Sequence, residues 1–146
     1  MCYTLLLSTT SPEDLSVHNT DLVRFTKDLP QIAEVAVLKH EHKWYVGSKS
    51  GCSCSFRHLY SIELGFGEPV QWYKEEPEDI DATLQVIQII REIVARGESV
   101  DCVDAWPRQE TASAVTRQRD VDLSSMKDSE FRFFENHHFT FSNPGR

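Results

Sequence analysis

A chain of 146 residues, 40% hydrophobic and 26% charged, is long enough to bury a core of its own without disulfide or metal staples. Its net charge of −8 at pH 7, with lysines and arginines scattered among 23 acidic residues, excludes the clustered positive surface that nucleic-acid binding requires. The longest apolar stretch, residues 84–94, is broken by Gln88, Arg91 and Glu92 and cannot span a bilayer, and no signal-peptide pattern opens the chain.

The elements follow in chain order. Residues 2–8 form a short apolar run bounded by serine, threonine and proline, the pattern of a buried strand. Ser11, Pro12, Glu13 and Asp14 read as a helix start, with Leu15, Leu22, Phe25 and Leu29 as a broken apolar face ahead of Pro30. Residues 33–38 and 43–47 are β-rich runs flanking His40, Glu41 and His42, which predicts a hairpin, although its turn lacks Asn-Gly chemistry. Residues 48–76 are then a long connection, either functional or hiding a short element of its own. The clearest helix covers residues 77–96. Ile80, Leu84, Ile87, Ile90, Ile93 and Val94 make its stripe, acidic residues load its first turn, and Gly97 ends it.

Val100, Cys102 and Val103 predict a further strand, stopping at Trp106 and Pro107. Residues 109–126 carry little pattern. Residues 131–134 and 137–141 predict a final hairpin turning at Glu135 and Asn136. The succession strand, helix, strand, strand, helix, strand predicts an α+β fold of the ferredoxin-like, split βαβ plan. Its antiparallel sheet has helices on one face, and a different α+β sheet of the same elements is the rival. One domain spans residues 1–146, with the core in 1–107 and an extension carrying the C-terminal β-hairpin in 108–146.

That plan makes a spatial statement. The end of the third strand lies at the same sheet end as the start of the first and the end of the fourth. The loop carrying Cys52 and Cys54 then emerges near Cys2, with Asp104 and Trp106 alongside and Cys102 a few residues up the fourth strand. The opposite end collects Ser8, Thr9, Thr10 and the turn at His40.

The chemistry concentrates at Gly51-Cys52-Ser53-Cys54-Ser55-Phe56-Arg57-His58. Four cysteines without a secretory signal point to a reducing, cytoplasmic setting, where thiols stay free, bind metal or cycle. Thiolate and imidazole suit Zn²⁺ or Cu⁺, so the leading expectation is a metal or small-ligand site. Cys52 and Cys54 are its principal ligands, with His58 and Cys2 as helpers. Cys102, between apolar neighbours, reads as core. A cysteine-dependent redox enzyme is a third reading, with Arg57 or His58 lowering a thiol pKa. The Cys52-to-Arg57 spacing falls one residue short of a cysteine-phosphatase loop, which excludes that family.

The remaining features are more ordinary. Paired histidines in strands put their rings on opposite faces, so His40, His42, His137 and His138 read as surface residues without a shared target. Ser8 to Pro12 could hold an anion but more simply satisfies its own backbone. No phosphate loop, dinucleotide fingerprint, zinc-protease helix or nucleophile elbow occurs. Trp44, Tyr45, Phe56, Tyr60, Phe66, Trp72 and Tyr73 would line a ligand pocket, a subunit interface or a second core layer. Exposed sheet edges suggest a homodimer. The alternative to a metal or ligand site is therefore a noncatalytic, dimeric interaction protein whose cysteines are structural.

Overall fold

Leu5, Leu6 and Leu7 are completely buried because the strand that holds them has a partner on each side and cover on each face. In the computed structural model, which describes residues 2–107 and 112–144, that strand is β1 (Thr4–Thr9). It pairs antiparallel with β3 (His42–Ser48) and with β5 (Val100–Ala105), in the register Leu7 to Trp44 and Leu7 to Cys102. Three more strands complete a sheet of six: β2 (Val23–Thr26), β6 (Arg117–Asp122) and β8 (His137–Ser142). The order is β2-β3-β1-β5-β8-β6, antiparallel throughout except for the β6–β8 pair. A separate parallel pair, β4 (His58–Leu59) with β7 (Phe133–Phe134), lies apart from it.

A single α-helix, α1 (Pro77–Ala95), stands among the described residues. Proline in its first turn and Glu78 and Asp79 at its positive end favour the start where the sequence places it. Val86, Ile87, Ile90 and Ile93 are fully buried against Leu5, Leu7, Cys102 and the C-terminal phenylalanines. Each such aliphatic side chain contributes about 1.5–3 kcal/mol by leaving water. The other face of the sheet exposes Leu6, Val103 and Ala105 to a smaller cluster with Leu38. No helix among the described residues is long and apolar enough to cross a membrane.

The fold is thus α+β and sheet-rich, and the central order β5-β1-β3 is the one expected for fourth, first and third strands. The ferredoxin-like plan needs a second helix and a strand at 33–38, and both differ. Residues 33–37 form a 3-10 helix whose Val35 and Val37 pack on the cluster around Leu6. The place beside β3 goes instead to β2, from the stretch read as helical. Val23 and Phe25 are buried while Arg24 is exposed, so period-two alternation outweighs the wider Leu22, Phe25, Leu29 spacing. Asn19 interrupts any helix there, its side-chain oxygen accepting the Phe25 N–H at 2.7 Å.

The C-terminal hairpin is also replaced. The chain does turn at Glu135 and Asn136, where Asn136 takes a φ of 56°. The two arms then separate: β7 joins β4, and β8 inserts between β5 and β6. Phe131, Phe133, Phe134 and Phe139 are 0–1% exposed, and an isolated two-stranded hairpin cannot hide aromatics on both faces. Within the stretch read as unpatterned, residues 117–122 are the edge strand β6. Its charged side chains blunt the edge, and Val121 is its buried residue. Residues 109–111 of that stretch lie outside the described residues.

The long connection after β3 is held by a buried ion triad. Arg57 grips Glu75 through Nε at 2.5 Å and Nη2 at 3.0 Å, and Arg132 reaches the same carboxylate at 3.0 Å. Arg57 also donates to the carbonyls of Gly67, Ser129 and Phe131, and Arg132 to those of Gly65 and Glu68. The two guanidinium side chains are 1% exposed and the carboxylate 7%. Burial pushes the Glu75 carboxyl up, but the hydrogen bonds and charges of both arginines outweigh it and hold the group below its ordinary value. Glu75→Gln strands two buried cations and should lower the unfolding free energy by about 3–5 kcal/mol. Urea denaturation checks this, and a loss below about 1 kcal/mol would mean that the triad is replaceable by solvent.

Candidate functional site

Where β3 ends, the chain turns back on itself over Ser48 to Cys52. Gly51 adopts a φ of 85°, a conformation that suits glycine, and its N–H donates to the Ser48 carbonyl at 3.0 Å. Ser48 in turn donates from its backbone N–H at 2.8 Å and its hydroxyl at 2.5 Å to the Cys52 carbonyl, and the same hydroxyl accepts the Ser55 N–H at 3.1 Å. Ser53, fully buried, stitches the sheet end: its hydroxyl donates to the Val46 carbonyl at 2.6 Å and accepts the Leu5 N–H at 2.9 Å.

With Ser53 turned inward, the cysteines on either side of it turn the other way. There they meet Cys2, from the residues just ahead of β1. The Sγ atoms of Cys2, Cys52 and Cys54 all lie within 4.8 Å of one another. All four cysteines are free; Cys2 is exposed, Cys52 and Cys54 half-buried and Cys102 buried.

The three clustered thiols differ in character. Burial raises the Cys52 pKa, but Ser50, the Cys54 N–H and the thiols of Cys54 and Cys2 together bring it down to about 7. Burial and the hydrogen bond with Cys52 instead push Cys54 up to about 12. The first proton to leave the pair therefore comes from Cys52, and Cys54 keeps the second. Beside them, burial raises the Tyr45 phenol, with charge on all three cysteines adding to it.

His58 stands outside the thiol cluster. Its Nδ1 lies 2.8 Å from an Asp104 carboxylate oxygen and its Nε2 2.5 Å from the Ser53 carbonyl. Both partners are acceptors, so both ring nitrogens donate and the ring is an imidazolium. Burial opposes that charge, but Asp104 outweighs it and raises the His58 pKa. Tyr3 covers the cation, its ring parallel to His58 within 1° at 3.9 Å between centroids, and Trp106 closes on Tyr3 edge-on. No lone pair is left on His58 for a metal. Arg57, equally close in sequence, is spent on Glu75.

Cys102 is also apart. It is fully buried, flanked in the ladder by Leu7 and Phe139, and burial drives its pKa well above the ordinary thiol value. The opposite sheet end gathers a polar network of its own. Asp101 accepts from the Ser8 hydroxyl, from the Lys39 N–H at 2.9 Å and from His138 Nε2 at 2.6 Å, and the His40 N–H reaches Ser8 Oγ at 3.1 Å. The carboxylate stands between serine and histidine there, which is not the order of a nucleophilic triad. Thr9 and Ser11 satisfy nearby backbone groups, but no helix starts at Ser11: the 3-10 turn Leu15–His18 is capped instead by Asp14, whose side chain accepts the Ser16 N–H.

Two cavities bear on ligands. One of about 240 Å³ opens beside the thiol cluster and is lined by Cys54, Tyr3, His58, Tyr73 and Asp79 among others. A larger one, about 630 Å³, lies away from the thiols between Tyr60, Arg117 and His137. The convergent reactive groups are at the first. The molecule is thus an α+β protein carrying a three-thiol cluster of the kind that can hold a metal ion. Comparison of the chain with protein-family models, with curated proteins and with solved structures finds no match to any of them.

Two measurements test this electrostatic picture. Alkylation followed by peptide mapping should label Cys52 with a midpoint near pH 7 while Cys54 stays unreacted, as its value near 12 requires. Parallel titration of both thiols near the ordinary 9.0 would contradict it. The raised His58 pKa contributes stability that is complete below the unfolded value of 6.5 and is lost as pH rises through the folded value. The stability difference between wild type and Asp104→Asn should accordingly shrink as pH rises, read by urea unfolding at several pH values.

Proposed function

We propose that the protein is a small metal-binding module in which Cys2, Cys52 and Cys54 take up one thiophilic ion, Zn²⁺ or Cu⁺. The observation that carries this reading is the approach of three Sγ atoms to within 4.8 Å of one another. Sulfurs bonded to a common ion at about 2.3 Å stand roughly 4 Å apart, so side-chain rotation suffices to close the site. The Ser48 and Ser53 hydrogen bonds hold Cys52 and Cys54 in place before any ion arrives, which reduces the ordering that binding must impose. In this reading His58 is not a ligand; it braces the loop through the Ser53 carbonyl. The thiols must remain reduced, which agrees with a reducing compartment such as the cytoplasm.

A second reading is thiol redox chemistry with Cys52 as the attacking thiolate, favoured by its lowered pKa and by the cavity onto which Cys54 opens. It ranks below metal binding because three thiols serve as a ligand set directly, whereas a redox couple uses two.

The metal must displace whatever protons the three thiols of Cys2, Cys52 and Cys54 carry, so affinity rises with pH. Reduced protein should bind about one ion per chain near pH 8 and release it as the pH is taken down to roughly 6. Cys52→Ser or Cys54→Ser should weaken binding by about a hundredfold or more, while Cys102→Ala leaves it unchanged. Elemental analysis and chelator competition measure both. Folded, reduced protein that takes up no metal, or unaltered binding by Cys54→Ser, would sink the proposal.

A further inference from the structure

We infer that the ion is monovalent copper, held by Cys2, Cys52 and Cys54 in a three-coordinate, all-sulfur site. The inference rests on the metal-binding reading above and narrows it to one oxidation state and one coordination number.

The donor set comes first. Thiolates are the softest ligands a protein offers, and Cu⁺ and Zn²⁺ both accept them. The two ions differ in how many ligands they need. Zn²⁺ is four-coordinate and on three protein ligands must add a water as the fourth, whereas Cu⁺ with its single charge is satisfied by three sulfurs in a plane. Among the described residues the cluster comprises Cys2, Cys52 and Cys54, with no histidine or carboxylate joining it.

The residues that a fourth ligand would most naturally come from are committed elsewhere. His58 has both ring nitrogens donating, to Asp104 and to the Ser53 carbonyl. Freeing one would break a buried ion pair whose side chains are 4% and 0% exposed. Cys102 lies in the core, paired in register with Leu7 and Phe139. The Tyr45 phenol beside the cluster is a hard oxygen donor, poorly matched to a soft monovalent ion.

The mechanics agree. Hydrogen bonds from Ser48 to the Cys52 carbonyl and from Ser53 to the Val46 carbonyl tie the loop carrying Cys52 and Cys54 to β3, while Cys2 precedes β1 and is exposed. An ion arriving from solvent would meet the two sulfurs of that loop and be closed in by the third. Binding forms three copper–sulfur bonds and expels the protons those thiols carried. Copper stays in the +1 state throughout, so no electron acceptor or donor is involved.

The test uses the full chain, reduced and anaerobic. Cu⁺ is titrated against a chromophoric Cu⁺ chelator, and Zn²⁺ against a zinc chelator, with X-ray absorption on the copper-loaded protein. The expected result is one Cu⁺ per chain with three sulfurs at about 2.3 Å and no nitrogen. About a tenfold excess of Zn²⁺ should displace less than roughly a tenth of it. Cys2→Ser, at an exposed position, should lower the sulfur count from three to two, and Cys102→Ala should leave it at three. Binding of Zn²⁺ with displacement of Cu⁺ overturns the copper assignment and leaves the metal-binding reading standing. So does a nitrogen ligand on copper, or one copper shared between two chains. Failure of the folded, reduced protein to bind either ion overturns both.

Discussion

One carboxylate, Glu75, pairs with two guanidiniums that the fold has removed from water, and the course of the chain after the third long strand depends on it. Arg57 stands at the end of the cysteine loop, Glu75 just ahead of α1, and Arg132 beside β7. Three segments far apart in sequence are thereby tied at one point. Their spare donors go to the carbonyls of Gly65, Gly67, Glu68, Ser129 and Phe131, backbone that no sheet satisfies. Such a triad adds less net stability than apolar packing of equal volume. Its effect is to specify one course for a connection that hydrophobic burial alone would leave ambiguous.

The thiol cluster inherits that order. Arg57 donates its backbone N–H to Thr83 on α1 at 2.9 Å, so the residues after the cysteines are anchored to the helix. On the sheet side the Ser53 hydroxyl bridges β1 and β3, and its carbonyl receives His58. The imidazolium is in turn fixed by Asp104 on β5. Cys52 and Cys54 therefore project from a loop fastened to β1, β3, β5 and α1. Their unequal acidity follows from this geometry, since one thiol receives the hydrogen bonds that the other donates.

Much of the central sheet was legible in the sequence. The apolar run at Leu5 to Leu7 and the amphipathic stripe of α1 are strong, local signals, and the central strand order assumed from them, which the structure keeps as β5-β1-β3, puts Cys2 at the same sheet end as Cys52 and Cys54. The errors share a cause. Val23 and Phe25 are too few to outweigh a helical spacing when read alone, and β6 carries almost no apolar signal because it is an edge. The aromatics around Asn136 do mark strands and a turn, but which strands they pair with is a long-range matter. His58 misled for a further reason. A histidine four residues from a cysteine reads as a ligand until its partner is known, and Asp104 lies 46 residues away.

By itself the sequence determined what local physics controls: the composition of a folded α+β chain, the start and end of α1, the buried strand β1 and the presence of two thiols around a serine. The tertiary structure alone decided which donors are free. Hydrogen-bond acceptors are non-local, and a side chain keeps its lone pair or loses it according to what the fold brings within 3 Å or so. That is why Cys2 joins the cluster while His58, Arg57 and Cys102 do not, although the first two of these stand much closer to Cys54 in the chain.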